Sequence, residues 1–594
     1  MTPTPTSNSQ LPYRCADFES LPEALDYAAR GVTGLNFYSA RCELVSTLPY
    51  ALMRERAVAM ARSLIQAGVE RNERVVLLGD TDPDIITAFF ACQYASLIPV
   101  VVPIPASLGG REAYVEQLKR LMTSSDAKVA MAPAAYLGFL KEAAADFGDG
   151  LMTGTPAEFS DLPGGAVDTR PFGPSDPCYF QYSSGSTRWP LGVEVPQRCL
   201  MANSFSISNH GLKITDSDRG VSWLPLYHDM GLVGFMLTPL LCQLSNDLLP
   251  TRDFARRSLT WLKMIGENGA TLSYSPTFGY DLCCRRAENA TSQSFDLKTW
   301  RAAGIGGDMI QPQVIERFAQ VFAPHGFDRK ALVASYGMAE VTLAVSFAPL
   351  NRGLDVDLID RRRLTDEHVA EPVSAPASGD VETAQPRGFV FCGPPLPDHL
   401  IEIRDDDDTV LSDRRVGRIF IKGPSVATGY FGEPRASAKV FREGWLDTGD
   451  LGYLVDGEVV ITGRSKDLMI INGRNIWPQD VEWAVEELPG LRRGDVAVFS
   501  IEDQGHDARV VILVQCRSRD DAIREQLRKD AKATAARTAA VDGEVLLVPP
   551  HSLPMTSSGK LSRARAKQNH LEGLYAEVDD VAGARQPLAM AAGD

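Results

Sequence analysis

Apolar residues in the first third of the chain fall into short β-branched runs separated by stretches of helical spacing. RVVLLGD at 74–80, PVVVP at 99–103 and AKVAMA at 127–132 read as strands, and PDIITAFFACQYASL at 83–97 reads as a helix between the first two. Strand and helix in that alternation predict a mostly parallel sheet with helices on its faces. A second run of the same kind spans about 178–345, with CYFQY, GVSWLPL, ATLSYSP and ALVASYG as its strands. The texture then changes: residues 351–387 are polar and rich in Arg, Asp, Pro, Ala and Ser. From 389 to 426, short alternating strands such as HLIEIRDDDD and VGRIFIKG predict a small β subdomain, with the acidic run 405–408 as a solvated hairpin tip. After GRSKD at 463–467 comes a last α+β unit, with strands in LMIING, DVAVFS, ARVVILVQC and GEVLLVPP and helices near 478–488 and 520–536. The tail beyond about 577 reads as frayed, and no internal repeat is present.

A chain of 594 residues exceeds one compact core and predicts two to four cooperating units. The apolar share of 44% and charged share of 23% are those of an ordinary soluble enzyme. A net charge of −16 with no basic stripe argues against a nucleic-acid partner. The most apolar stretch, 97–108, is too short to span a bilayer and is broken by Pro99, Pro103 and Pro105. The polar N-terminus lacks the apolar core of a secretory signal. Ten scattered cysteines without C-x-x-C spacing, two of them adjacent at 283 and 284, predict reduced thiols in a cytoplasmic protein.

Five segments carry candidate chemistry. In QYSSGSTRWPLGV at 181–193 a strand ends in Ser183, Ser184, Gly185, Ser186 and Thr187. Small residues let backbone N–H groups close around an anion, although this is not a Walker A loop and also reads as a plain Ser/Gly loop. SYGMAE at 335–340 offers the Tyr336 ring for a purine and the Glu340 carboxylate for Mg²⁺. WLDTGDLG at 445–452 places Asp447 and Asp450 around a turn, where a carboxylate can accept hydrogen bonds from a ribose diol. GRSKD places Arg464 before a polar break, and LPMTSSGKLSR at 553–563 presents Lys560 on a Ser/Gly loop, where an ammonium can neutralise phosphoryl charge. Singly, each of these also reads as an ordinary turn or loop.

Taken in order, a hydroxyl/Gly loop, Y-G-x-x-E, D-x-G-D, G-R-x-K-D and P-x-T-x-x-G-K resemble the adenylate-forming superfamily of acyl-CoA synthetases, peptide-synthetase adenylation domains and luciferases. The resemblance covers nearly the whole chain. Within the superfamily the chain looks most like the fatty acyl-AMP ligases. SWLPLYHDMGLVG at 222–234 and SPTFGYDLC at 275–283 resemble that family's segments, the second of them lining its acyl tunnel, and 351–387 sits where the family carries an insertion.

The resemblance implies an α/β fold: a large N-terminal domain over 1–464, with the β subdomain at about 389–464 and the insertion at about 351–387, then a small mobile α+β domain over 465–594. It implies that residues 183–187 cradle the phosphates of ATP, that Glu340 and Thr187 hold Mg²⁺, and that Ser335, Tyr336, Gly337, Met338 and Ala339 with Gly306, Gly307 and Asp308 hold the adenine. Asp450 and Arg464 would take the ribose, and Lys560, His228 and Glu340 would be catalytic. Tyr227, His228, Met230, Gly231, Ser275 and Phe278 would contact the fatty acid, and Lys466 would be the hinge. Arg188 and Leu191 depart from the family's loop, which has glycine and lysine there, and Arg188 is expected to supply the missing cation. No G-x-D-S-L carrier signature occurs, so the resemblance implies acyl transfer to a separate acyl carrier protein, with Arg492 and Arg493 as candidates for its docking. The competing readings are an acyl-CoA synthetase, an amino-acid adenylation domain and an inactive adenylate-binding regulator.

Overall fold

The computed structural model describes residues 11–105, 110–183, 190–288, 294–373, 386–471, 474–503, 506–556 and 559–575. One large sheet runs in the order Gly429–Tyr430, Gly192–Pro196, Pro177–Tyr182, Ile98–Val102, Arg74–Leu78, Ala127–Met131 and Met152–Gly154. Its last five strands are parallel, and the two at the other end pair antiparallel. Val75, Leu77 and Val101 enter one apolar cluster while Val76, Leu78, Val100 and Val102 enter another. Both faces are buried, which is why these strands read as continuous apolar runs. The helix Pro83–Ala95 starts where Asp82 accepts hydrogen bonds from the backbone N–H groups of Asp84 and Ile85, and it ends at Ser96 in the left-handed region.

The second large sheet runs Ala344–Phe347, Leu332–Gly337, Ala302–Ile305, Leu272–Ser275, Gly220–Ser222, Asn246–Leu248, Gly34–Tyr38 and Leu44–Pro49. Its interior pairs are parallel and both edge pairs antiparallel. An aromatic cluster packs beneath it, with Trp223 stacked on Phe254 at 3.7 Å between ring centroids. The strand expected over 220–226 stops at Ser222. Pro225 cannot donate to a ladder, and the chain leaves the sheet there to build a loop above it. Ligands in open α/β sheets bind outside the carboxyl ends of the strands, and the loops after Ser222, Ile305 and Gly337 emerge at that edge.

A five-stranded antiparallel sheet follows, built from Leu400–Arg404, Gly417–Lys422, Trp445–Val455, Phe441–Arg442 and Glu458–Arg464. Its 405–408 tip is tied down rather than simply solvated. Asp405 accepts hydrogen bonds from the backbone N–H groups of Asp407 and Thr409, and Asp408 pairs with Arg418 at 2.6 Å. The polar stretch at 351–387 also holds regular structure. Val356–Asp360 pairs antiparallel with Pro386–Val390, and the helix Arg361–Glu367 follows the first of these strands; 374–385 lie outside the described residues.

The last unit is a sheet of Val496–Asp503, His506–Gln515 and Gly543–Val548 with helices on both faces. Alternation divides its side chains. Val496, Val498, Val510 and Ile512 pack with Val481, Val485, Ala531 and Ala535 of two helices, while Ala497, Phe499, Val511 and Leu513 pack with Leu553 and Ala566 on the other side. Contacts to the preceding part of the chain are largely polar. Arg387 lies 2.8 Å from Asp480, both nearly enclosed, and its guanidinium sits 4.3 Å from the Phe389 ring and 4.7 Å from that of Trp477. Burial pushes Arg387 down to about 10, opposed by Asp480. Arg361 donates to the Thr538 carbonyl at 2.6 Å. Among the described residues, no helix is long and apolar enough to cross a membrane.

Two stability tests follow from this packing. Asp480→Ala leaves the Arg387 charge buried without a partner and should cost about 3 kcal/mol, whereas Arg387→Met with Asp480→Leu should recover most of that loss, as read from denaturant midpoints. Equal midpoints for Asp480→Ala and the parent would show that the pair is already solvated. Glu486 is pushed up to about 8 by burial, with Glu482 adding to the shift. The folded chain therefore keeps a proton that the unfolded chain releases, and stability falls as pH rises from the ordinary carboxylate range through about 8. Glu486→Gln should match the parent near pH 4 and exceed it by about 1–3 kcal/mol near pH 9. Parallel pH profiles for the two would refute the shift.

Candidate active site

The carboxyl ends of both large sheets, the antiparallel sheet and the last unit surround one cavity of about 1320 Å³. Its polar half gathers residues far apart in sequence. Asp450 and Arg464 are opposed across the strand pair Trp445–Val455 and Glu458–Arg464, with Arg464 Nε 3.4 Å from Asp450 Oδ1. The Tyr336 hydroxyl donates to Asp450 Oδ2 at 2.7 Å. The Tyr430 hydroxyl donates to Glu340 Oε1 at 2.9 Å. His228 Nδ1 lies 2.6 Å from Asp229 Oδ1, which also accepts the Met230 N–H at 2.7 Å.

Lys560 reaches this cluster from the last unit. Its loop is closed by two hydrogen bonds, Thr556 N–H to the Lys560 carbonyl at 2.7 Å and Lys560 N–H to Thr556 Oγ1 at 3.1 Å. Gly559 takes φ of +79° in the turn and lies against Phe278. A Cβ built on Gly307 would stand 3.9 Å from Lys560 Nζ, so the ammonium rests over the 306–308 turn. Gly307 itself has φ of +83°, where a side chain would be strained.

Electrostatics couple these groups. Burial lowers Lys560, opposed by Asp308 and reinforced by Arg464. Burial raises Asp308 to about 6, with Lys560 pulling the other way. Burial also raises Glu340 and Asp450, opposed by Tyr430 and Arg464 respectively. Burial would raise Asp229 too, but His228, Lys560 and the Met230 N–H hold it below the ordinary carboxylate range. This half of the cavity, with four acidic groups around one ammonium, is suited to bind hydroxyls or a cation.

The other half of the cavity is apolar, lined by Ile207, Leu212, Phe235, Pro239, Leu272 and Phe347 among others. Two π-helical turns, Ile207–Gly211 and Met230–Leu237, contribute Ile207, Met230, Gly234 and Phe235 to the cavity's lining. Gly231 permits the course of the second turn: a Cβ there would come 2.1 Å from the Pro225 carbonyl oxygen.

Of the residues expected at the site, Ser183, Tyr227, His228, Met230, Phe278, Gly306, Gly307, Asp308, Ser335, Tyr336, Gly337, Met338, Ala339, Glu340, Asp450, Arg464, Lys466 and Lys560 all line this cavity. Ser184, Gly185, Ser186, Thr187 and Arg188 lie outside the described residues. Two expected residues point elsewhere. Gly231 backs onto Pro225, and Ser275 is fully buried with its hydroxyl donated to the Pro276 carbonyl. Arg493, expected on a docking surface, instead faces Asp281 of the helix Thr277–Ala287 at 3.7 Å. Tyr430 was not foreseen; VATGYFG at 426–432 carries no periodic or charge signal that would single it out. The residues of the apolar half were missed because 207–214 and 230–239 read like any core segment.

Comparison with known proteins agrees with this geometry. The profile of the AMP-binding enzyme family matches residues 37–431. A putative acyl-CoA synthetase of Caulobacter vibrioides is 50% identical, over 97% of this chain and 99% of its own length. JamA of Moorena producens, a medium-chain-fatty-acid–[acyl-carrier-protein] ligase, is 30% identical over 94% of this chain and 96% of its own. A solved structure from a study of fatty acyl-adenylate ligases from E. coli and L. pneumophila superposes with a TM-score of 0.90 at 42% identity, covering 95% of this chain and 100% of that one. The chain belongs to the AMP-binding enzyme family.

Proposed function

We propose that this enzyme activates a fatty acid as its acyl-adenylate, with ATP as the nucleotide and pyrophosphate as the leaving group. The observation that carries the reading is the continuity of one cavity from an apolar tunnel to a cluster of acidic groups around Lys560. An alkyl chain fits the apolar half, which leaves its carboxylate near His228 and Lys560. The acid's oxygen attacks the α-phosphorus of ATP as the bond to pyrophosphate breaks, so no protein nucleophile is needed. Catalysis is then positioning and charge stabilisation.

On this reading Asp450 and Arg464 hold the ribose, and Tyr336 with the 306–308 turn holds the adenine. Lys560 bridges the attacking carboxylate and the phosphate, and residues 183–187 with Arg188 cradle the polyphosphate. Glu340 is a fitting ligand for Mg²⁺, which typically takes one or two carboxylates plus substrate phosphates and would neutralise charge on the leaving group. The reading divides the chain into 1–464 and 465–594 with Lys466 as hinge, and it places the enzyme in the cytoplasm, where ATP is supplied. The acyl group passes to the phosphopantetheine arm of a separate carrier protein, a reading that JamA's described activity supports. The name of the Caulobacter relative favours a second acceptor, coenzyme A.

The test is incubation with ATP, Mg²⁺ and fatty acids of graded length, with coenzyme A, with a phosphopantetheinylated carrier, or with neither, and identification of products by mass spectrometry. Acyl-AMP in all arms and acyl-carrier only with the carrier is the expected pattern. Acyl-CoA formation would replace the carrier with coenzyme A. Lys560→Ala should lower acyl-AMP formation by about 10²–10³-fold, the scale of one lost preorganised donor. Near-parental rates in that variant would overturn its assigned role.

A further inference from the structure

The proposed reaction releases a highly charged pyrophosphate into a cavity already lined by Asp229, Asp308, Glu340, Asp447 and Asp450. Most described cations of that lining are engaged by protein carboxylates. Arg285 and Arg493 face Asp281, Arg418 holds Asp408 and Asp447, Arg464 faces Asp450, and Arg563 holds Asp467 and Glu482. Lys560 is balanced by Asp308 and Asp229.

Arg435 and Lys439 differ. They stand one turn apart on the helix Pro434–Val440, both line the cavity, both are exposed, and neither has a carboxylate partner among the described residues. Lys466 and Lys567 also lack one there, but they stand on the C-terminal side of the cavity. The position of the Arg435 helix is set by the segment before it. It begins just after Tyr430, whose hydroxyl donates to Glu340. Gly429 and Tyr430 pair antiparallel with Glu194 and Val193, and Phe431 N–H donates to the Gly192 carbonyl at 2.9 Å, so the helix follows directly on an edge strand fixed to Gly192–Pro196. Residues three and four apart on a helix share a face, so the two cations present one doubly charged edge to the cavity that Glu340 also lines.

We propose that Arg435 and Lys439 bind the pyrophosphate moiety, first as part of ATP and then as the departing product. The inference rests on the adenylation reading. The phosphate of a phosphopantetheine arm has similar chemistry, but a paired charge on the helix that follows Tyr430, the partner of the carboxylate suited to Mg²⁺, favours the polyphosphate.

The experiment is calorimetry on the full-length protein with Mg²⁺-pyrophosphate, with AMP and with phosphopantetheine, comparing the parent, Arg435→Ala with Lys439→Ala, and the charge-preserving Arg435→Lys with Lys439→Arg. The alanine pair should weaken pyrophosphate binding by about tenfold at low salt, less as ionic strength rises. AMP affinity should stay within about twofold, which controls for folding, and the charge-preserving pair should restore most of the loss. In ATP–pyrophosphate exchange the KM for pyrophosphate should rise while kcat holds. Unchanged pyrophosphate affinity, or a loss confined to phosphopantetheine, would overturn the proposal. A pyrophosphate loss in the alanine pair, with no acyl-AMP made by the parent, would keep the anion site and remove the adenylation reading instead.

Discussion

The ammonium of Lys560 and the acidic groups it meets cannot be understood apart. Asp229, Asp308 and Asp450 converge on one cavity, and crowded carboxylates in a poorly solvated space hold their protons unless a cation joins them. Lys560 in turn enters a space where burial disfavours its charge. Opposite charges that share a poorly solvated space favour each other's charged form, so each side makes the other tolerable. The cation is carried by the last unit of the chain and the acids by the preceding sheets. The charge balance of the site therefore exists only when those units are in contact.

The local backbone serves that balance. Gly307 turns with positive φ beneath the ammonium, so that turn places no Cβ there, and Gly559 turns with positive φ against Phe278. Tyr336 and Tyr430 each give a hydroxyl hydrogen to one carboxylate, which leaves Asp450 and Glu340 aimed into the cavity before any ligand arrives. Preorganised groups of this kind need little rearrangement when charge develops.

Much of this was legible in the sequence, and the reasons differ by element. The strands at 74–78, 98–102 and 127–131 announced themselves because burial on both faces leaves only Arg74 and Lys128 as polar positions in them. Asp450 and Arg464 were legible as motif members, although only the antiparallel register shows that they face one another. The strand read over 220–226 ran too long because Trp223, Leu224 and Leu226 are buried without being in a sheet. Tyr227, Met230 and Phe278 were named through the family resemblance, but the rest of the apolar half, such as Ile207, Leu212 and Phe347, was illegible because the same residue types line an apolar cavity and fill a core. Arg493 was read as a surface charge since its partner, Asp281, lies on a helix more than two hundred positions earlier. Tyr430 was invisible because its role depends on the side chain of Glu340, which the local pattern cannot supply.

The contacts that join the last unit to the rest differ sharply in what they resist. Arg474 with Asp366 is a partly exposed pair at 3.2 Å, the class worth roughly 0–1 kcal/mol and screened by salt, while Arg493 reaches the buried Asp281 only at 3.7 Å, a carboxylate that Arg285 already meets at 2.8 Å. Arg387 with Asp480 is nearly enclosed and flanked by two aromatic rings, so pulling the units apart must either rehydrate both charges or strand one of them. The arrangement with Lys560 in the cavity is thus held mainly at one buried point and trimmed by weak pairs around it. A movement about residues 465–467 that kept Arg387 and Asp480 together would have only weak pairs to break, whereas one that parted them would meet most of the resistance at that point. The Arg387 pair, more than the number of surface ion pairs, therefore resists separation of the last unit from the rest.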